Sequence, residues 1–99
     1  MWAKAGELHL SGQVDGRHTP GIREALYRLL EGDAPVVVDL SAVSSIDLPA
    51  LRLLAAASRQ SGRAGQRLTL RGCSPSVRRL LRLSRMAHCV ALERAAAPV

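Results

Sequence analysis

The stretch Val36-Val37-Val38-Asp39-Leu40-Ser41-Ala42-Val43-Ser44-Ser45-Ile46-Asp47 decides the fold. It opens on three consecutive β-branched residues with no polar position between them. Such a run reads as a central strand covered on both faces, the arrangement of a parallel sheet. The strand leaves through Asp39-Leu40-Ser41, and a short loop carries the chain to Ile46-Asp47. Beyond it a second helix is predicted over about residues 49–61, closed by Gly62.

Upstream, Ile22, Leu26, Leu29 and Leu30 recur on one helical face, with Arg23, Glu24, Arg28 and Glu31 outside it. Thr19-Pro20 offers that helix a hydroxyl N-cap and a proline whose missing N–H costs nothing in the first turn. Gly32-Asp33 stops it. Earlier still, Glu7-Leu8-His9-Leu10-Ser11 alternates polar and apolar as a half-buried strand does. A short hairpin from Trp2-Ala3-Lys4 through Ala5-Gly6 precedes it, and Gly12 to Gly16 lead into a loop. Downstream, Arg67-Leu68-Thr69-Leu70-Arg71 alternates again, and Ser74-Pro75 repeats the cap-plus-proline device. The helix that follows places Val77, Leu80, Leu81 and Ser84 on one face and Arg78, Arg79, Arg82 and Arg85 largely on the others. Cys89-Val90-Ala91-Leu92 supplies a last edge strand, and residues 93–99 read as a frayed tail. Helices alternating with strands predict one α/β domain over residues 1–99, its core at about 7–92. Its sheet is mostly parallel, with about four or five strands and about three main helices.

At 99 residues the chain has room for one packed core. Its 47% apolar content suits an ordinary globule, built from Leu, Val, Ile and Ala, with Trp2 and Tyr27 as the only aromatics. The longest uninterrupted apolar stretch, Leu53-Leu54-Ala55-Ala56-Ala57, is about a turn and a half of helix, against roughly 20 residues for a membrane span. The start, Met1-Trp2-Ala3-Lys4, lacks the basic-then-apolar pattern of a secretory signal, so the expected compartment is the cytoplasm. There Cys73 and Cys89 are expected as small buried thiols. The net charge of +6 is unevenly placed: ten of the fourteen basic residues lie after Pro49, opposed there by Glu93 alone. This asymmetry points to an acidic partner or to nucleic acid. Thirteen of the fourteen are Arg, so a genome favouring Arg codons explains part of the excess.

Three segments in order resemble the STAS domain, the small α/β binding module of bacterial anti-sigma-factor antagonists. Leu8-His9-Leu10-Ser11-Gly12-Gln13-Val14-Asp15 is similar to the family's strand ending in Gly-x-Leu/Val-Asp. Val36 to Asp47 resembles the central strand, its Asp-Leu-Ser exit and the loop to a second Asp. Gly65-Gln66-Arg67-Leu68-Thr69-Leu70-Arg71-Gly72-Cys73-Ser74-Pro75-Ser76-Val77 resembles the third strand and its capped helix. The resemblance spans roughly residues 7–92 and implies a stand-alone regulatory module that binds a protein partner. In many such antagonists the second Asp is followed by Ser-Ser-Gly or Ser-Thr-Gly, and the second hydroxyl is phosphorylated by an anti-sigma factor that is itself a kinase. A phosphate there would lie in the positive field of a helix N-terminus and change the surface by nearly two charges. This chain reads Asp47-Leu48-Pro49-Ala50, with Pro49 at the phospho-acceptor position. The switch is therefore lost there, and Ser44 and Ser45, flanking the contact loop, are the substitute phosphosites to consider.

The partner-binding residues that the resemblance implies are Asp15, Asp47, Leu48, Pro49, Ala50, Leu51 and Arg52, with Leu48, Pro49 and Leu51 forming a small apolar contact rimmed by Arg52. The implied partner is an anti-sigma factor of the ATP-binding kinase type. Each aspartate also has a structural reading: Asp47 as the cap of the second helix, and Asp15 as a loop residue holding nearby backbone N–H groups. A runner-up function of a different class also fits the family, although the Cys73-Ser74-Pro75 turn and the Arg-rich third helix look more like the antagonist branch. Small stand-alone STAS proteins also serve as accessory subunits of ABC transporters for phospholipids, binding the ATPase subunit. A third reading is a scaffold or decoy that binds a kinase without being its substrate.

Nothing in the sequence assembles an enzyme. His9, His18 and His88 have no nucleophile motif beside them. Cys73, His88 and Cys89 lack a fourth zinc ligand and fit no metal spacing, and Gly62-Arg63-Ala64-Gly65 turns a helix into a strand without forming a phosphate loop. No cofactor is expected. Arg78, Arg79, Arg82 and Arg85 give the third helix a basic flank, but the chain lacks the aromatics on which single-strand binders stack bases. Ser74 reads as an N-cap and Ser41 as part of the strand exit.

Overall fold

A computed structural model of the protein describes residues 1–32, 34–63, 65 and 68–92. Its centre is the strand β3, Val36–Ile46, third in a five-stranded sheet whose strands lie side by side in chain order. β1 (Trp2–Lys4) runs antiparallel to β2 (Glu7–Val14), and β2, β3, β4 (Leu68–Arg71) and β5 (Ala91–Leu92) are mutually parallel. The helices α1 (Thr19–Leu30), α2 (Leu48–Arg63) and α3 (Pro75–Leu83) make the crossovers. The mostly parallel α/β architecture expected from the alternation is thus the observed one.

The sheet register explains which face is buried. Leu8 pairs with Val38 and Val38 with Leu70, and all three are fully or almost fully buried beside Val36, Leu40 and Leu68. Ile22 and Leu26 of α1, Leu51 and Leu54 of α2, and Val77 and Leu81 of α3 join them in one cluster. Each such side chain contributes roughly 1.5–3 kcal/mol by leaving water. The opposite face has a different chemistry. His9 pairs with Asp39 and Asp39 with Arg71, while Glu7 pairs with Val37 and Val37 with Thr69. Val37 is only half-buried. The expectation of a central strand covered on both faces is therefore corrected: the helical core lies on one face, and a polar layer closes the other.

That layer is bound across three strands. Arg71 donates to Glu7 Oε1 at 2.9 Å and to Asp39 Oδ2 at 2.8 Å, and the Ser41 N–H and hydroxyl both reach Asp39 Oδ1. The His9 ring lies 2.8 Å from Glu7, and Trp2 stacks on it with centroids 3.9 Å apart. Burial pulls the Asp39 carboxyl upward, but the Ser41 donors and the Arg71 guanidinium outweigh it and hold it at about 2. Arg71, followed by His9, lowers Glu7.

Several boundaries differ from the sequence expectation for local reasons. The predicted loop after Ser41 is strand: β3 continues to Ile46, with register shifts between His9/Ser11 and Gly12/Gln13 of its neighbour. These bulges move the inward positions of β3 from 36, 38 and 40 to Val43, so Ser41 and Ala42 between Leu40 and Val43 face out. Gly62 lies inside α2, which ends at Arg63. Thr19 does not cap α1; its hydroxyl donates to the Gly16 carbonyl, and His18 occupies the cap position without a side-chain bond to the helix. Ser74 does cap α3, accepting the Val77 N–H at 3.2 Å. Ala5-Gly6 forms the predicted hairpin, both residues at positive φ. Cys73 and Cys89 are free thiols of intermediate exposure, and burial raises the Cys73 thiol. Asp33, Ala64, Gln66, Arg67 and the expected tail at 93–99 lie outside the described residues.

Candidate functional site

Because β2 and β3 are parallel neighbours, their C-terminal ends lie together, and with them Asp15 and Asp47. Val14 pairs with Ile46, and the Asp47 N–H donates to the Val14 carbonyl at 3.0 Å. Asp47 then divides its carboxylate. Oδ1 accepts the Ala50 N–H at 3.0 Å, which caps α2, and Oδ2 accepts the Gly16 N–H at 2.9 Å. One side chain thereby fixes the start of α2 against the 3₁₀ turn Gly16–His18 that leads into α1.

Asp15 faces the other way around that turn. Its carboxylate accepts the Arg17 N–H at 2.9 Å and pairs with the Arg17 guanidinium at 2.8 Å, and its own N–H donates to His18 Nδ1. The Arg17 contacts, side chain first and then backbone, hold the Asp15 carboxyl at about 2. A turn braced from both sides results, and the Gly16 backbone within it lies close under Pro49: a Cβ there would be 3.7 Å from the Pro49 Cβ.

The structure sorts the seven expected partner residues into two groups. Pro49 and Arg52 are exposed, and Asp15, Asp47 and Leu48 are half-exposed at the same tip. Ala50 and Leu51 are 1% and 0% exposed, turned into the core. Leu51 therefore cannot supply the apolar contact expected of it, since α2 directs it at the sheet. Ser44 and Ser45 are exposed near the end of β3, on the approach to the same tip.

Next to Pro49 opens a shallow cavity of about 380 Å³ between α1 and α2, lined by Thr19, Arg23, Tyr27, Pro49, Arg52, Leu53 and Ala56. Sequence reasoning placed Arg23 merely on the solvent face of α1. The groove exists because Ile22 and Leu26 dock α1 beside α2, a packing with no local sequence signal. Among the described residues no group of three or more His, Cys, Asp or Glu is placed to hold a metal ion, and no helix is long and apolar enough to cross a membrane. The site is a preformed protein surface with a proline at its crest.

The sequence model described as "Mlab, STAS domain" matches residues 2–93. Solved structures share the fold at low identity. An anti-sigma factor antagonist from Mycobacterium paratuberculosis is 24% identical, with 95% of this chain and 82% of that one covered and a TM-score of 0.78. A putative anti-sigma factor antagonist from Thermotoga maritima is 18% identical over 92% of this chain and 80% of that one, also at 0.78. The antagonist SpoIIAA in its unphosphorylated form is 15% identical over 97% and 86%, at 0.70. No curated protein matches the sequence.

Proposed function

The chain belongs to the STAS domain family, and from that membership we propose that it is a regulatory binding module of the anti-sigma-factor-antagonist type. It engages an anti-sigma factor of the ATP-binding kinase type through the start of α2, and sequestering that factor frees a sigma factor for transcription. The contact surface is Leu48, Pro49 and Arg52, with Asp15 and Asp47 behind them. The observation that carries the reading is the pair of hydrogen bonds that the Asp47 carboxylate accepts from the Gly16 and Ala50 N–H groups. It holds the tip in one conformation before any partner arrives, so little ordering is left for binding to offset.

Proline has no hydroxyl, so in this reading phosphate cannot be placed at position 49 and the module is not switched there. Binding is constitutive, or set by expression or by modification elsewhere, with Ser44 and Ser45 as the exposed hydroxyls near the surface. The protein acts in the cytoplasm by association and catalyses nothing.

A second reading is favoured by the description of the matching family, which is that of the Mlab STAS domain. In it the same tip seats against the ATPase subunit of an ABC-type phospholipid transporter. Tagged wild-type protein and a Pro49→Asp variant, each used to capture partners from the native cell lysate, separate the two. An anti-sigma kinase retained only by the wild type supports the first reading, and a transporter ATPase retained only by the wild type supports the second. A partner held equally by both proteins would move the contact away from Pro49.

A further inference from the structure

Pro49, Arg52, Ala56, Arg59 and Arg63 follow one another along the exposed side of α2. Their spacing of three and four residues sets them on one line roughly 21 Å long, about four helical turns. Two shallow cavities of about 380 and 410 Å³ run along that line and share Ala56 in their walls. The facing bank of the first is α1, through Arg23 and Tyr27. The Tyr27 hydroxyl donates to Gln60 Oε1 at 2.9 Å and ties the two banks together. A furrow results, low at its smallest side chain and bordered by guanidinium groups.

Among the described residues those groups carry no ion pair. Arg17 pairs with Asp15, Arg28 with Glu24, and Arg71 with Glu7 and Asp39. Arg23, Arg52, Arg59 and Arg63 have no acidic partner among the described residues. Like charges gathered along one groove raise its positive potential and draw a negative surface into it. Single-stranded nucleic acid fits less well, because its bases stack on exposed aromatic faces and the furrow's one aromatic, Tyr27, is half-buried with its hydroxyl engaged.

We infer that this furrow seats an acidic α-helix of the partner protein, laid along α2 with its carboxylates on Arg23, Arg52, Arg59 and Arg63 and a small residue over Ala56. The inference rests on the proposed reading of the α2 start as the contact surface and extends it along the length of the helix. It also gives the partner a chemistry: an amphipathic helix with Asp or Glu recurring every three to four residues.

The test uses the full ¹⁵N-labelled chain and a synthetic helical peptide of about 18 residues with glutamates at i, i+4 and i+7. Backbone shift changes are expected along α2 from Arg52 to Arg63 and at Arg23, with binding weakened by added salt and absent for the lysine version of the peptide. Arg59→Glu with Arg63→Glu should lower the peptide's affinity at least about tenfold, and the milder Arg59→Gln with Arg63→Gln several-fold. Arg79→Glu on α3, an equal change in net charge per site, should leave it nearly unchanged. No binding, shifts centred on α3, or equal loss from Arg79→Glu would overturn the inference. So would a duplex DNA oligonucleotide that displaces the peptide at equal concentration, since it would make the furrow a nucleic-acid site. The lysate capture with Pro49→Asp reads the parent proposal separately. A partner that depends on Pro49 but not on Arg59 and Arg63 would leave that proposal standing and this one refuted.

Discussion

Removing the Asp47 carboxylate should loosen the tip by an amount the structure sets. Asp47→Ala deletes two charge-assisted hydrogen bonds. The first, to the Ala50 N–H at 3.0 Å, is the cap of α2, and losing a cap costs about 1 kcal/mol. The second, to the Gly16 N–H at 2.9 Å, serves a half-buried donor that water can reach once freed, and losing that bond costs about 0.5–1.5 kcal/mol. Together they come to about 2 kcal/mol, which for a domain of this size lowers the melting temperature by roughly 8–16 °C. Asp47→Asn separates the two contributions. Its one carbonyl oxygen can still cap α2, while its NH₂ turns a donor toward the Gly16 donor, so about half the loss is expected. Urea titrations followed by circular dichroism measure both variants, and an unchanged denaturant slope shows that the folded state keeps its compactness. A cost for Asp47→Ala below about 0.5 kcal/mol, or an Asn variant as unstable as the Ala variant, would refute the view that this carboxylate ties the tip together.

Stability should also fall in acid with a defined sign. Asp39 and Asp15 titrate at about 2 in the folded protein, below the unfolded aspartate value of about 3.9, and Glu7 is lowered as well. Their contribution is complete above the unfolded value and disappears as pH falls toward 2, so the urea midpoint should decline below about pH 5, less steeply in Asp39→Asn; a midpoint level down to pH 2.5 would contradict this. Gly72→Ala should cost at least about 2 kcal/mol, because at φ +72 its Cβ would lie 2.7 Å from the Ser41 Cβ and 2.9 Å from the Ser41 backbone nitrogen. Gly12→Ala, at φ +70 in open space, should cost only about 1 kcal/mol, and equal thermal shifts in the two would argue against the close approach. Leu51→Ala should cost about 2–5 kcal/mol while exposed Pro49→Ala changes folding stability by less than about 0.5 kcal/mol; equal effects would mean that α2 is rotated from the orientation described.

Much of the fold is written in local pattern. The alternation at Glu7 to Ser11 and at Leu68 to Arg71, the stripe of Ile22 and Leu26, and the Ser74-Pro75 cap all act within a few residues, and each element appears where its pattern stands. What the pattern leaves out acts at a distance. Val36-Val37-Val38 reads as covered on both sides, yet Val37 shares its face with Glu7 and Thr69, a neighbourhood fixed by pairings about thirty residues away in each direction. Arg71 reaches Asp39 and Glu7 across 32 and 64 residues of chain, so no window reveals that these charges neutralise one another. Ser41 to Ser45 looks like a loop because serines dominate it, and becomes strand because two bulges keep Val43 inward while the residues around it face out. At the candidate site, Asp47 and Pro49 stand out in the sequence as departures from or matches to a motif. Whether Leu51 points out or in depends on the phase of α2, which the docking of its buried side settles.

Strand order that follows chain order has a consequence for how the protein is made. Each strand emerging from the ribosome finds its place beside the one synthesised just before it, and no strand has to be threaded between two already paired. A nascent chain released as far as Arg63 already holds β1, β2, β3 and both of their crossover helices. It still bares the edge of β3 from Val36 to Asp39, which only the Leu68–Arg71 strand covers. The interval between the emergence of α2 and that of β4 is therefore the one in which the nascent chain is most open to pairing with a stranger. Once Leu68–Arg71 has emerged and paired, the central strand is closed on both sides.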